Sequence, residues 1–147
     1  MTVPAASLFE FGAALEEAAH AHLAMVGGRV VDRIALERDA NGNLVGGFCD
    51  HRRTADPGTI SDEVLIRTKL AGITARRLAG ITDPPLSSRA DLDGVDELLR
   101  QGGWDDDYLA ELWTETEAIV RGAFPAIVKL AVELLRRGAV RVAPEYM

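Results

Sequence analysis

The sequence predicts a mostly α-helical, α+β fold: helices surrounding one small β-hairpin. Three observations carry this. Apolar residues recur at helical spacing in several segments, each closed by glycine or proline. One stretch, 29–50, instead carries two β-branched and apolar runs separated by Asn41-Gly42, a strong hairpin-turn signal because both residues accept positive φ. The chain is 147 residues long with no internal repeat and no convincing linker, which fits one domain spanning 1–147.

Each element has its own justification. Ser7-Leu8-Phe9-Glu10 reads as a capping box opening a helix from about 8 to 26, with Leu8, Phe11, Leu15, Ala19, His22 and Val26 on one stripe and Gly27-Gly28 ending it. The hairpin strands are built on Val30, Val31, Ile34 and Leu36, and on Leu44, Val45 and Phe48. After the Asp56-Pro57-Gly58 loop, a second helix runs from about 61 to 78, with Val64, Leu65, Leu70 and Ile73 as expected core. Gly80 and Asp83-Pro84-Pro85 stop it. A third helix follows Ser88, with Leu92, Val95, Leu98 and Leu99 inside and Gly102-Gly103 at its end. The region 105–138 is helical around Leu109, Leu112, Ile119, Val120, Ile127, Leu130 and Leu134, with a kink or break expected at Gly122 and Pro125.

Composition narrows the function. The formal charge of −7 repels a polyanion, so nucleic acid is a poor partner. The arginine pairs 52-53, 76-77 and 136-137 are too short to reverse that. A single cysteine, Cys49, precludes an internal disulfide and fits a reducing compartment. No stretch approaches the ~20 apolar residues of a membrane span, and no signal peptide is evident. A cytoplasmic location is therefore expected.

The chemically informative segment is Glu16-Glu17-Ala18-Ala19-His20. On a helix, positions i and i+4 share a face. The zinc-peptidase pattern H-E-x-x-H uses this spacing to aim two imidazoles at one metal, with the intervening Glu acting on the metal-bound water. Here the frame is kept with Glu16 in the first place, Glu17 in the second and His20 in the last. Taken in isolation, Glu16 and Glu17 read as a solvated helix face.

The surrounding residues add to this. Ala14-Leu15-Glu16-Glu17-Ala18-Ala19-His20-Ala21 is similar to the A-x-H-E-A-G-H-A segment of FtsH-type ATP-dependent zinc metallopeptidases. Residues 31–36 and 44–48 resemble that family's short strand pair. Leu70-Ala71-Gly72-Ile73-Thr74-Ala75-Arg76 resembles its L-A-G-x-A-A-E helix, with Arg76 in place of the acid. Ser87-Ser88-Arg89-Ala90-Asp91-Leu92 looks like its S-x-x-x-D-L segment. The four pieces agree in order and spacing over most of the chain, to about Leu135.

The resemblance implies a helical metallopeptidase-like domain that hydrolyses a peptide or protein substrate with a metal-activated water. Its metal ligands would be Glu16, His20 and Asp91, and its catalytic base Glu17. Substrate would add as a strand beside Gly46, Gly47 and Phe48. The cofactor would be Zn2+, or Mn2+ or Fe2+ given two carboxylates. The extra anionic ligand lowers the Lewis acidity of the metal, so activity is expected to be weak or lost. Ala19 also replaces the family's glycine. No G-x-x-x-x-G-K-[ST] loop is present, so a separate ATPase would be the partner that delivers substrate. The alternative is an inactive homologue that binds peptide or protein in the same groove with no metal; a third reading is a helical interaction protein that keeps only the fold. Self-association is left open.

Other candidates have plainer readings. Asp91 has two, as a ligand and as the distal member of a Ser88-x-x-Asp91 capping box. His22 points away from His20 and reads as a core histidine. His51 reads as a loop histidine within reach of the site. Cys49 is a small strand residue rather than a nucleophile, and Trp104 and Trp113 belong to a core or an interface.

Overall fold

A computed structural model describes residues 5–52, 62–81 and 86–142. The element order is α1 (Ala5–Val26), β1 (Val30–Arg38), β2 (Leu44–Arg52), α2 (Asp62–Leu78), α3 (Leu86–Gly102), α4 (Asp106–Arg137) and β3 (Ala139–Arg141). Four helices around a small antiparallel sheet make the mostly helical α+β class expected from periodicity. The loop 56–58, Ser61 and the 83–85 segment lie outside the described residues.

The sheet has the order β2-β1-β3. Strand β1 pairs with β2 from Val30↔Arg52 to Arg38↔Leu44, with register shifts between Val31 and Arg33 and between Glu37 and Arg38. The connecting loop is tied by Asp39, whose Oδ1 accepts from the amides of Asn41 (2.9 Å) and Asn43 (3.0 Å). Of the two turn residues only Gly42 takes positive φ, at 82°. The expected two-residue turn is thus a wider loop around an aspartate.

Strand β3 was not foreseen. Gly138, at φ 79°, ends α4 with its N–H on the Leu134 carbonyl and turns the chain back along β1. Three residues then pair, with Val140 opposite Ile34. A segment this short carries too little alternation to announce itself.

Helix boundaries were corrected in three places. Helix α1 begins at Ala5, so Ser7 is inside it, and Glu10 accepts from Arg38 (2.7 Å) instead of closing a capping box. Helix α3 begins at Leu86, which places Asp91 in its second turn and removes the capping-box reading. Helix α4 is continuous through Gly122 and Pro125, with no break. Its start is capped by Asp105, which accepts from the Tyr108 amide at 3.0 Å.

Two apolar clusters hold the elements together. The larger joins α1, the inner sheet face and the second half of α4 through Leu15, Leu23, Ile34, Val120, Ile127, Leu134 and Val140. The smaller joins α2, α3 and the start of α4 through Ile66, Leu70, Val95, Leu99 and Leu112, with Trp104 and Trp113 packed on it. Each fully buried Leu or Ile contributes roughly 1.5–3 kcal/mol. Some expected core positions fall elsewhere. Leu8, Val26 and Leu92 are exposed, and Val64 and Leu65 are half-buried.

Helix α1 is the central element. It packs against α2, α4, β1 and β2. From Ala14 to Ala19 every residue is buried, so this helix is enclosed on all sides and not merely amphipathic. That enclosure brings Glu16 and Glu17 into the interior.

Candidate functional site

Helix α2 crosses α1 at a close approach built on Gly72. A Cβ at Gly72 would sit 2.8 Å from His20 Nε2 and 3.3 Å from Glu16 Cβ. Glycine here lets the imidazole and the first turn of the carboxylate stem pass beneath the α2 backbone. On the other side β2 lies over Glu17. A Cβ at Gly47 would stand 3.1 Å from both Glu17 Cγ and the Ala35 carbonyl. Gly46 has open space by comparison. The two glycines therefore differ in role: Gly47 permits contact between strand and helix, and Gly46 does not have to.

Between these supports, Glu17, His20 and Asp91 converge. His20 Nδ1 is 3.8 Å from Glu17 Oε1, and His20 Nε2 is 3.3 Å from Asp91 Oδ2. The second contact is at ion-pair distance, with angles short of a well-formed hydrogen bond. Glu17 Oε2 is buried with no hydrogen-bond partner among the described residues. Burial pushes the Glu17 carboxyl up to about 7, with His20 pulling it down and Glu16, Asp91 and Glu37 pushing it further up. Burial also opposes protonation of His20, but the Asp91 and Glu17 carboxylates outweigh it and raise the imidazole above its usual value. The solvated-face reading of Glu16 and Glu17 does not hold, since they are 3% and 7% exposed.

Glu16 has a different neighbour. Its Oε1 lies 3.6 Å from Arg76 Nε, with both side chains almost wholly buried. The Arg76 guanidinium lies against Gly12, one turn before Glu16, where a Cβ would collide with it. Gly12, Glu16, Gly72 and Arg76 thus form one packed unit between α1 and α2. Sequence reasoning treated Arg76 only as a departure from a pattern. No local pattern around Glu16 points to Arg76; the one trace is that both positions depart from the FtsH-type pattern, an acid standing for its His and a base for its acid.

This arrangement bears on the expected metal set. His20 and Asp91 face each other and Glu17 is beside them, but the third expected ligand, Glu16, is held against a guanidinium. A buried cation at that point opposes a second one. Among the described residues no group of three or more His, Cys, Asp or Glu side chains has the geometry to hold a metal ion. As placed, Glu16 is turned toward Arg76, while His20 faces Asp91.

The remaining candidates are placed as follows. Phe48 lies on the face of the sheet away from Glu17, where Arg33 stacks 5.1 Å from its ring centroid. It pairs with Ala35, one position out of phase with the inward Ile34 and Cys49. His51 is in strand β2 opposite Val31, not in a loop, and its side chain lies outside the described residues. His22 is half-buried, and burial lowers its pKa. Cys49 is a partly buried strand residue whose thiol burial pushes up to about 12, which leaves it protonated and inert. No described helix is long and apolar enough to cross a membrane. In comparisons with known proteins, no family model and no curated protein matches the chain.

Proposed function

We propose that this chain is a peptidase-like protein of the FtsH type that binds extended peptide or protein segments without cleaving them. The observation that supports this most is the buried Glu16–Arg76 pair, which uses the first ligand position for structure. The binding surface would be β2. It is the outer strand of the described sheet, so one row of its backbone amides and carbonyls is free to pair with an added strand. Gly46 and Gly47 leave that edge without bulky side chains, and Val45 beside them is exposed. An extended segment laid there would run beside Gly47, whose backbone packs on Glu17.

A second reading, hydrolysis assisted by Zn2+, Mn2+ or Fe2+, is favoured by one contact, that of His20 with Asp91 beside Glu17. In that reading a separate ATPase would supply unfolded substrate.

The test is metal content and peptide turnover measured on one preparation. The binding reading expects no stoichiometric Zn2+, Mn2+ or Fe2+ after titration, no cleavage of a casein-derived peptide mixture, and perturbed amide resonances along 44–52 when peptide is added. Stoichiometric metal with cleavage abolished by Glu17→Gln overturns it. The double variant Glu16→His/Arg76→Glu restores the family pattern at both positions, and zinc uptake by that variant alone would support conversion of a former metal site.

A further inference from the structure

A recess lies between α2 and α4. It has a volume of about 210 Å3 and is lined by Thr74, Arg77 and Leu78 from α2 and by Trp113, Glu117 and Arg121 from α4. The α4 residues stand at i, i+4 and i+8, one stripe of the helix. On α2, Arg77 follows Arg76 by one position, so α2 sends one arginine inward to Glu16 and the next outward to this recess.

Its chemistry is set by two arginines and one wall of apolar surface. The Arg77 guanidinium lies 5.1 Å from the centroid of the Trp113 ring, a cation–π contact. Among the described residues no carboxylate forms an ion pair with Arg77. Arg121 is held by Glu117, with Nη2 at 2.8 Å and Nε at 3.1 Å from Oε1. Two cations and one anion leave the recess net positive on a chain whose formal charge is −7. Leu78 and the Trp113 ring supply the apolar surface. Cofactor and drug-sized sites usually occupy about 300–1,000 Å3, so this recess is suited to a single residue. An acidic side chain satisfies the arginines but leaves the apolar wall uncovered. A chain-terminal residue with an apolar side chain satisfies both.

We propose that the α2–α4 recess binds the C-terminal residue of another polypeptide, its free α-carboxylate on Arg77 and its apolar side chain against Leu78 and Trp113. Arg77 is the anchor because no carboxylate among the described residues pairs with it, which leaves its guanidinium fork for a planar carboxylate. Glu117 works against the ligand by placing a like charge in the recess. This site is separate from the β2 edge and does not depend on what that edge binds.

The experiment uses Trp113 fluorescence in a Trp104→Phe background, with acetyl-Ala-Ala-Leu as the free acid, the same peptide as its C-terminal amide, and acetyl-Ala-Glu-Ala-amide. The free acid should give a saturable change and bind at least about tenfold more tightly than either amide, the discrimination expected from one charge-assisted bidentate contact. Arg77→Gln should weaken the free acid by a similar factor, and Glu117→Gln should tighten it. Equal binding of acid and amide overturns the proposal, and so does the absence of any saturable change. Preference for the glutamate peptide replaces the chain terminus with an acidic side chain and also overturns it. The acid–amide comparison uses unaltered Arg77, so it decides the matter even if the Arg77 variant does not fold.

Discussion

Glu16 on α1 and Arg76 on α2 meet in the interior with Oε1 3.6 Å from Nε, and neither side chain has appreciable access to water. Such a pair contributes little net stability, because the desolvation of both charges offsets their attraction. Losing one partner is another matter. Arg76→Met should destabilise the fold by about 3–5 kcal/mol, since it removes the guanidinium that faces a buried carboxylate. The double change Glu16→Leu/Arg76→Met should recover most of that loss. Chemical denaturation of the three proteins checks both statements, and a double variant no better than the single one would show that the pair is not the reason.

The close approach at Gly72 makes a second prediction. A methyl group there would stand 2.8 Å from His20 Nε2, inside van der Waals contact. Gly72→Ala should cost about 1–3 kcal/mol through displacement of the imidazole or separation of α1 from α2. Thermal unfolding measures the cost, and the His20 ring resonances should move with it.

Gly46 and Gly47 should respond differently to the same substitution. Gly47→Ala places a methyl 3.1 Å from Glu17 Cγ and from the Ala35 carbonyl, whereas the nearest atom to one at Gly46 is 4.0 Å away. Gly47→Ala should therefore lower stability by about 1 kcal/mol or more, and Gly46→Ala should be close to neutral. Similar melting temperatures for the two variants would contradict the placement of β2 over α1.

The pH dependence follows from Glu17. Its folded pKa is about 7 against a usual value of 4.5, because burial disfavours the carboxylate. A raised pKa means that the folded state holds the proton more tightly than the unfolded chain. The associated stability is complete below about pH 4.5 and is lost as pH rises through about 7. From pH 5 to 8 the parent protein should lose up to about 3 kcal/mol relative to Glu17→Gln. Unfolding free energies of the two proteins across that range test it. Parallel curves would mean that Glu17 is ionised throughout.

The segments that periodicity revealed were those with a simple environment. Helix α2, the hairpin strands and the buried positions Leu70, Val95 and Leu134 follow from spacing and glycine punctuation alone. What escaped was set by contacts distant in sequence. Nothing near Glu16 announces Arg76, and the exposure of Leu92 depends on which face of α3 meets α2. Strand β3 is three residues stabilised by a strand formed about a hundred positions earlier. The site was legible as a frame, Glu17 to His20 with Asp91 in reach. The partner of its first residue was not, because a buried ion pair between helices leaves no local pattern.

Strand β3 also bears on how the protein must be made. Ile34, wholly buried, has its backbone opposite Val140, and the Leu36 amide donates to the Gly138 carbonyl at 2.9 Å. During synthesis, which proceeds at about 5–20 residues per second, β1 leaves the ribosome several seconds before the strand that completes its pairing. Over that interval the β1 edge is open, and α1 has no α4 to seal its buried carboxylates. The domain is a fold whose first third waits for its last, and a chain cut after Arg137 would keep waiting.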